Sequence, residues 1–339
     1  MNYLITTFDG FGDGVIYYPV FREIGDKMSK SKFFYTSNLF FSDSDIRRKI
    51  NLPLNFRVVG NEFRKLAKEN WEITYDFLEN HNIKKVINLR FIGKKFEKDY
   101  YGFKQWVNFK NSDIVFFDDE NLRDEKMVNI NARNIILLII EKAFNVKLSY
   151  SPNILKQVFP PNKQSDSILI NVHSRGVFKL WEANKWAELI SSLALSNKEI
   201  KICEGFGDIE KSYVNKVVRR LQPNIKNKIE IIKSSSLGDI IGHLRGTFLL
   251  ISIDSGLIHF ADSIEINSLG IYLTTSPKMW GGVTNKFRHI ESNHMSFCKN
   301  FYPHFGMCMN NKIKCEEISN GRDDILVSDV LKKIDPFFL

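Results

Sequence analysis

Residues 248–261 read FLLISIDSGLIHFA, and this stretch decides the fold class. Residues 248–253 are apolar except for one serine and include β-branched isoleucines, which is typical of a buried strand. The strand ends at Asp254, and from Ser255 onward the apolar residues recur at helical spacing. A buried strand that turns directly into a helix is the unit from which parallel α/β sheets are built.

The same unit repeats on both sides of this stretch. Short apolar runs bounded by polar turns predict further strands at residues 167–172, 199–203, 228–232 and 268–273. Helical spacing of the apolar residues predicts helices at residues 183–196, 209–221, 237–244 and 255–264. Strands joined through helices run parallel, with helices on both faces of the sheet, so this half is predicted to form a Rossmann-like domain.

The first half carries a weaker version of the same pattern. Strands are predicted at residues 3–7, 33–36, 56–59, 85–88 and 114–117, and helices at residues 15–28, 62–80 and 125–144. Pro152 and residues 158–166, VFPPNKQSD, break the pattern and are interpreted as a linker. The prediction is an α/β protein with domains at residues 1–155 and 156–339, two Rossmann-like domains facing each other across a cleft. In such sheets, ligands bind beyond the carboxyl ends of the strands.

The composition narrows the class of protein. The 339 residues carry 48 Lys and Arg against 39 Asp and Glu, a formal net charge of +9, and the length fits two domains. No apolar run approaches the ~20 residues that span a bilayer. Asp9 and Asp13 near the start argue against a signal peptide. The four cysteines include no close pair, which fits a reducing compartment, so the cytoplasm is the expected location.

Much of the positive charge lies in residues 84–110, where eight basic and two acidic residues give a net charge of +6. Aromatic residues are interleaved with the basic ones, as in a surface that binds a phosphorylated or sugar-rich ligand. Lys94, Lys95 and Lys98 are the candidate acceptor-binding residues. The alternative is a solvated loop in a lysine-rich protein. No nucleic-acid-binding motif is present, so a nucleic-acid partner is not expected.

A glycine-rich loop, DGFGDG at residues 9–14, follows the first predicted strand. Glycines allow tight turns and close approach of the backbone, and the N–H groups at the start of the next helix favour anions. Gly12 and Asp13 are therefore candidate site residues. The alternative is a purely structural turn, because the loop lacks the full spacing of a dinucleotide-binding motif.

The turn that follows residues 248–253 is a second candidate. Asp254, Ser255 and Gly256 lie where the first turn of a helix leaves N–H groups that can bind a diphosphate. Ser255 and His259 are four positions apart, which places a hydroxyl and an imidazole on one helical face. The alternative is an aspartate cap with an incidental histidine.

The loop after residues 167–172 is a third candidate. It contains Ser174, Arg175 and Lys179, whose hydroxyl, guanidinium and ammonium groups suit a pyrophosphate leaving group without a metal. Trp181 and Trp186 nearby are predicted to be packing residues.

The cysteines are predicted to be structural. Cys298, Cys308 and Cys315 lack the closely spaced pair typical of zinc sites, although a metal site there stays open. Cys203 falls on a predicted buried strand and is interpreted as a small core residue.

Several of these motifs occur together in an order and spacing that resemble the heptosyltransferases of glycosyltransferase family 9, which act in lipopolysaccharide core assembly. The resemblance covers most of the chain. Its blocks are GFGDGVIYYP at 10–19, SRGVFKLWEANKW at 174–186, EGFGDIE at 204–210, SLGDIIGHLR at 236–245, DSGLIHFA at 254–261 and TTSPKMWG at 274–281.

The resemblance implies a GT-B fold with an N-terminal acceptor-binding domain and a C-terminal nucleotide-sugar-binding domain. It implies transfer with inversion from an ADP-sugar, ADP-heptose above all, without a metal or other cofactor. Asp13 would be the general base that deprotonates the acceptor hydroxyl, and Lys179 and Ser174 would hold the diphosphate. The residues that would line the donor site are Asp254, Ser255, Gly256 and His259.

This sequence departs from the family pattern at three places. Arg175 stands where the family has a small hydroxyl residue, and Glu182 replaces a proline, so the donor sugar stays open. Glu210 lies in a glycine-rich loop that is shifted relative to the family pattern. It is interpreted either as a donor-site residue or as a solvent-facing glutamate in the first turn of a helix.

The function expected from these features is transfer of a heptose or related sugar to a lipopolysaccharide or surface-glycan acceptor. Peripheral contact with an anionic membrane surface is also expected. A GT-B-like sugar-nucleotide epimerase and a non-catalytic nucleotide-sugar-binding protein are the alternatives. An aspartate base together with Lys179 argues against the second, since binding alone needs no base.

Overall fold

The computed structural model describes residues 1–7, 10–36, 38–60, 63, 68–89, 94–117, 129–149, 151–162, 166–174, 176–293 and 324–337. The chain divides into two compact units, the first running from Met1 to Ser151 and the second beginning at Pro152. Each unit is built around a parallel sheet.

The first unit contains a sheet with helices packed on it. Its described strands are β1 (Asn2–Thr6), β2 (Lys32–Thr36), β3 (Phe56–Val59), β4 (Ile83–Asn88) and β5 (Val115–Phe117). They pair in parallel in the order β3-β2-β1-β4-β5. Its described helices are α1 (Phe11–Lys27), α2 (Leu39–Ser42), α3 (Ser44–Lys49), α4 (Trp71–Asn80), α5 (Lys94–Lys110) and α6 (Ala132–Phe144).

The second unit repeats this architecture with one more strand. Its described strands are β6 (Ser167–Asn171), β7 (Glu199–Cys203), β8 (Ile229–Ile232), β9 (Leu249–Ile253), β10 (Ser268–Tyr272) and β11 (Phe287–Glu291). They pair in parallel in the order β11-β10-β9-β6-β7-β8. Its described helices are α7 (Leu155–Val158), α8 (Ala183–Leu193), α9 (Asp208–Val218), α10 (Pro223–Lys226), α11 (Leu237–Arg245), α12 (Gly256–Ser263), α13 (Pro277–Trp280) and α14 (Val327–Ile334).

Local sequence explains where several helices begin. The side chain of Asn131 accepts a hydrogen bond from the backbone of α6. At α11, Ser236 Oγ accepts from the Asp239 N–H (3.1 Å), and Asp239 Oδ2 accepts from the Ser236 N–H (3.1 Å). This reciprocal pair is a capping box, which satisfies N–H groups that the helix itself leaves without partners.

The predicted α/β class with two Rossmann-like domains is confirmed. Every predicted strand is present within one or two residues of its predicted bounds. The edge strand β11 was not predicted, because its sequence, FRHIE, is largely polar and half-exposed. Such a strand lacks the apolar run by which the buried strands are recognised.

The basic segment at residues 84–110 contains a helix, so its interpretation as a solvated loop is wrong. Tyr100, Phe103 and Val107 recur at helical spacing along α5 and are buried in the core of the first unit. Tyr100 and Phe103, two of the interleaved aromatic residues, are therefore not part of a ligand surface. The side chains of Tyr100, Phe103 and Val107 stabilise the fold of the first unit.

The proline-rich stretch after residue 157 packs on the second unit, so its interpretation as a linker is wrong where it is described. Phe159 is buried, and its ring lies against the ring of Phe260 with centroids 5.4 Å apart. The side chain of Arg245 donates to the carbonyl oxygen of Pro160 (2.7 Å). The prolines interrupt helical periodicity, but burial of Phe159 attaches the segment to the domain.

Both sheets place their first strand in the middle, with the chain moving to one side and then to the other. The direction changes between β1 and β4 in the first unit and between β6 and β9 in the second. In open parallel sheets, ligands bind at the carboxyl ends of the two strands that flank such a switch point. The loops after β1, β6 and β9 are those predicted to carry site residues.

Candidate active site

Lys179 and Asp254 form an ion pair at the switch point of the second sheet. Lys179 ends a short 3₁₀ turn, Val177–Lys179, in the loop after β6, and Asp254 directly follows β9. Lys179 Nζ lies 2.6 Å from Asp254 Oδ2. The Asp254 side chain is 5% exposed and that of Lys179 is 19% exposed. Because β6 and β9 are neighbours, two candidate residues that are distant in sequence meet here.

The N-terminus of α12 directly follows Asp254 in the chain. Ser255 is the N-cap residue, and Gly256 is the first helical residue. The first-turn N–H groups of a helix and its dipole favour an anion. His259 lies one turn further along α12 and is buried. The structure therefore brings Asp254, Ser255 and Gly256 together with Lys179, with His259 in the helix behind them.

Ser174 shapes the loop that carries Lys179. Its Oγ atom accepts a hydrogen bond from the Gly176 N–H (3.2 Å). A hydroxyl that bonds to the backbone two residues on stabilises a tight turn. The carbonyl oxygen of Gly176 then accepts from the Lys179 N–H (2.9 Å). Arg175, the remaining candidate in this loop, lies outside the described residues.

Glu210 caps its own helix rather than facing solvent. Its Oε2 atom accepts hydrogen bonds from the N–H groups of Phe206 (2.9 Å) and Gly207 (3.0 Å) at the start of α9. Gly205 has φ +86°, and a Cβ added there would lie 2.6 Å from Glu210 Cβ. A glycine is required at this position by both its backbone angle and this close approach. Glu210 thus holds the glycine-rich loop in place.

His173 is a further residue near the candidate site, and the sequence analysis did not single it out. It lies between the end of β6 and Ser174, is buried, and its Nδ1 atom is 3.9 Å from Glu210 Oε1. Burial lowers the pKa of His173, while the Glu210 carboxylate and the backbone of Cys203 partly oppose this. Its position at a strand end, directly before Ser174, is the signal that could have found it.

Asp13 lies in the first turn of α1, which begins at Phe11 instead of residue 15 as predicted. Its Oδ2 atom accepts a hydrogen bond from the Gly10 N–H (3.0 Å). Gly12 is buried in the same turn. The glycines were predicted to form a loop, but Gly14 meets a packing requirement, since its added Cβ would lie 2.4 Å from Phe40 Cβ.

Some predictions fall on residues whose placement or side chains the structure does not describe. Lys94, Lys95 and Lys98 lie in α5, of which only the backbone is described there. The predicted rival base Asp9 and the three C-terminal cysteines, Cys298, Cys308 and Cys315, lie outside the described residues.

The predicted packing residues are confirmed. Trp181 and Trp186 are fully buried, with ring centroids 5.2 Å apart in an edge-to-face arrangement. Cys203 is buried at the end of β7, and burial raises the pKa of its thiol to about 12. Among the described residues, no helix is long and apolar enough to span a bilayer.

Comparison with known proteins agrees with this geometry. The model of glycosyltransferase family 9 (heptosyltransferase) matches residues 139–302. Lipopolysaccharide heptosyltransferase 1 of Campylobacter coli is 25% identical to the chain over 240 residues, which cover 66% of this chain and 68% of that protein. The chain is heptosyltransferase-like and is similar to glycosyltransferase family 9 over the matched residues. The matched region contains the loops after β6 and β9.

Solved structures of this heptosyltransferase type share the fold. The E. coli heptosyltransferase WaaC, solved with ADP, aligns with a TM-score of 0.62 at 15% identity, covering 99% of this chain and 100% of that one. A family 9 glycosyl transferase from Veillonella parvula aligns with a TM-score of 0.63 at 16% identity, covering 99% and 96%. The two parallel sheets of this glycosyltransferase match the GT-B fold.

Proposed function

We propose that this protein transfers heptose from ADP-heptose to a lipopolysaccharide-type acceptor, with inversion at the anomeric carbon and without a metal. The observation that carries the proposal is the pairing of Lys179 with Asp254 beside the N-terminus of α12, at the switch point of the second sheet. Similarity to lipopolysaccharide heptosyltransferase 1 and to WaaC, which was solved with ADP, supports the choice of donor and acceptor.

The second unit would bind the donor diphosphate. A lysine ammonium has three N–H donors, and Lys179 gives one to Asp254. Its other donors and the first-turn N–H groups of α12 suit the diphosphate oxygens. Asp254 would hold the ammonium group in place. Negative charge that develops on the departing ADP would then be neutralised by groups already in position.

Asp13 of the first unit would be the base. A hydroxyl is a weak nucleophile at neutral pH, so an inverting displacement needs a base to take its proton. The hydrogen bond from the Gly10 N–H to Asp13 Oδ2 fixes the carboxylate at the start of α1. The helix dipole favours its negative charge.

The first unit would also meet the acceptor and an anionic membrane surface. Phe109, near the end of the basic helix α5, is 90% exposed. An exposed aromatic residue among lysines suits a lipid interface. Two lysines of the segment have internal partners, since Lys85 donates to the Ala143 carbonyl and Lys110 pairs with Glu72. The cytoplasmic face of the membrane is the proposed location.

Thermal unfolding with nucleotides tests the donor assignment. A ligand at 100 times its dissociation constant adds about 2.7 kcal/mol to the free energy of unfolding. We expect ADP to raise the melting temperature more than UDP or GDP does, and we expect Lys179→Ala to reduce the ADP effect. An equal or larger effect of UDP or GDP would contradict an adenine nucleotide donor.

A further inference from the structure

A buried hydrogen-bond network joins the carboxyl ends of β6 and β9. Asn171, the last residue of β6, lies beside Ser252 of β9 in the parallel register, and both are fully buried. Asn171 Nδ2 lies within hydrogen-bonding distance of the His173 carbonyl oxygen (3.1 Å), Ser252 Oγ (3.0 Å) and Ser255 Oγ (3.1 Å), and these three acceptors share its two hydrogens. The network therefore reaches the N-cap residue of α12.

The partners of each atom indicate the direction of proton donation in the network. The carbonyl oxygen of His173 can only accept, so it orients the amide of Asn171 with Nδ2 towards it. Ser252 Oγ donates to the Ile253 carbonyl oxygen (2.7 Å) and so accepts from Ser255 Oγ, 2.9 Å away. The hydroxyl of Ser255 thus donates to Ser252 and accepts from Asn171.

This arrangement changes what Ser255 does at its helix. A serine at the N-cap ordinarily accepts a hydrogen bond from the first turn, as Ser236 does at α11 (3.1 Å). Ser255 makes no side-chain cap bond, although its backbone angles (φ −150°, ψ 166°) nearly equal those of Ser236 (φ −144°, ψ 164°). The difference therefore arises from the side-chain partners, Asn171 and Ser252.

We propose that Asn171 is a positioning residue that keeps the N-terminus of α12 open for the donor diphosphate. This inference rests on the proposed function, in which that helix terminus binds the diphosphate. A Ser255 hydroxyl released from the network would present its oxygen to the first-turn N–H groups and compete with the phosphate oxygens for them. Asn171 prevents this by holding the hydroxyl towards the sheet.

Asn171 is not explained by packing alone. Its Oδ1 atom is buried and has no hydrogen-bond partner among the described residues. A buried acceptor without a partner costs stability. An apolar side chain at this position would continue the apolar run of β6, whose three central residues are isoleucine and leucine. The amide therefore lowers the stability of the fold, and its hydrogen bond to the Ser255 hydroxyl is the reason we give for its presence.

The affinities of ADP and adenosine for the full chain test the inference, because only ADP carries the diphosphate. In isothermal titration, Asn171→Leu is expected to weaken ADP binding about tenfold, the scale of one hydrogen bond, and to leave adenosine binding unchanged. Ser252→Ala, a smaller change, is expected to weaken ADP binding in the same direction. Ser268→Ala removes a buried hydroxyl at the amino end of β10 and should change neither affinity.

A second substitution separates positioning from general damage. Adding Ser255→Gly to Asn171→Leu removes the competing hydroxyl, so ADP should bind at least as tightly as to Asn171→Leu alone. Equal weakening of ADP and adenosine, or unchanged ADP binding in a folded variant, would overturn the inference. If Asn171→Leu does not fold, Ser252→Ala decides by the same criterion. Absence of ADP binding to the unchanged protein would instead overturn the proposed function.

Discussion

Asp254 is a buried carboxylate that pairs with Lys179. Because the two side chains form an ion pair, the role of either residue depends on the other. A buried charge without its partner is strongly destabilising. Each therefore needs the other before any ligand arrives, and in the proposed function the pair would present a positioned ammonium group to the diphosphate. The sequence suggested both residues as donor contacts, whereas the structure adds that they contact each other.

Replacing Lys179 should slow transfer more than replacing the lysine of another ion pair in the second unit does. We expect Lys179→Ala to reduce kcat by about 10²–10³, the usual effect of losing one preorganised charge-stabilising group, and Lys179→Arg to recover part of it. Lys156→Ala removes the ion pair with Glu265 and serves as the control with near-normal turnover. Normal turnover of Lys179→Ala at saturating donor would remove Lys179 from charge stabilisation.

The sharpest residue-level prediction concerns Asp13. Asparagine can still accept the hydrogen bond from the Gly10 N–H, so Asp13→Asn should keep α1 and nucleotide binding. It cannot take a proton, so we expect turnover to fall by about 10²–10⁴, the range for a general base. Asp9→Asn, in the same glycine-rich stretch, should lose less. The measurement is steady-state transfer combined with ADP titration, and near-normal turnover of Asp13→Asn would exclude it as the base.

At the scale of elements, the loop between β7 and α9 depends on a single backbone conformation. Gly205 has a positive φ, and its added Cβ would lie 2.9 Å from the ring of His173 as well as against Glu210. The loop backbone therefore packs directly on the His173 and Glu210 side chains. The pattern of glycines in EGFGDIE indicated a turn, but not which glycine carries the constraint.

Gly205→Ala should destabilise the protein, and a second glycine provides a matched control. A non-glycine residue forced into this region costs about 1–3 kcal/mol, so the free energy of unfolding in urea should fall by roughly that amount. In α11, an added Cβ at Gly242 would meet nothing within 4 Å. Gly242→Ala should therefore raise the stability by about 0.5–1 kcal/mol. Equal stability of the two variants would mean that the loop can relax around a side chain.

Helix α5 shows where sequence patterns conflict. Its lysines suggested a solvated or ligand-binding surface. Nevertheless Tyr100, Phe103 and Val107 form one buried stripe, which covers a face of the first sheet. The charged residues between them masked a period that is evident once the three positions are aligned on a helix.

At the scale of the whole molecule, we expect binding to anionic vesicles that is weakened by salt. Each basic residue near an anionic leaflet contributes about 1 kcal/mol and is screened at high ionic strength. Phe109→Ser on α5 should weaken binding further. Leu54→Ser changes an apolar residue that is 100% exposed outside the basic segment and should have no effect. Vesicle sedimentation that is unchanged in molar salt, or identical for both variants, would contradict the assignment.

The amino-acid sequence determined the described strands other than β11, the parallel α/β class and the loops that carry the candidate residues, because buried strands and turns leave local patterns of apolar and polar residues. Burial of Phe159 and the pairing of Lys179 with Asp254 were decided only by the tertiary structure. Each of these depends on which strands become neighbours and which surfaces they cover. Such contacts join residues far apart in the chain, and no local pattern records them.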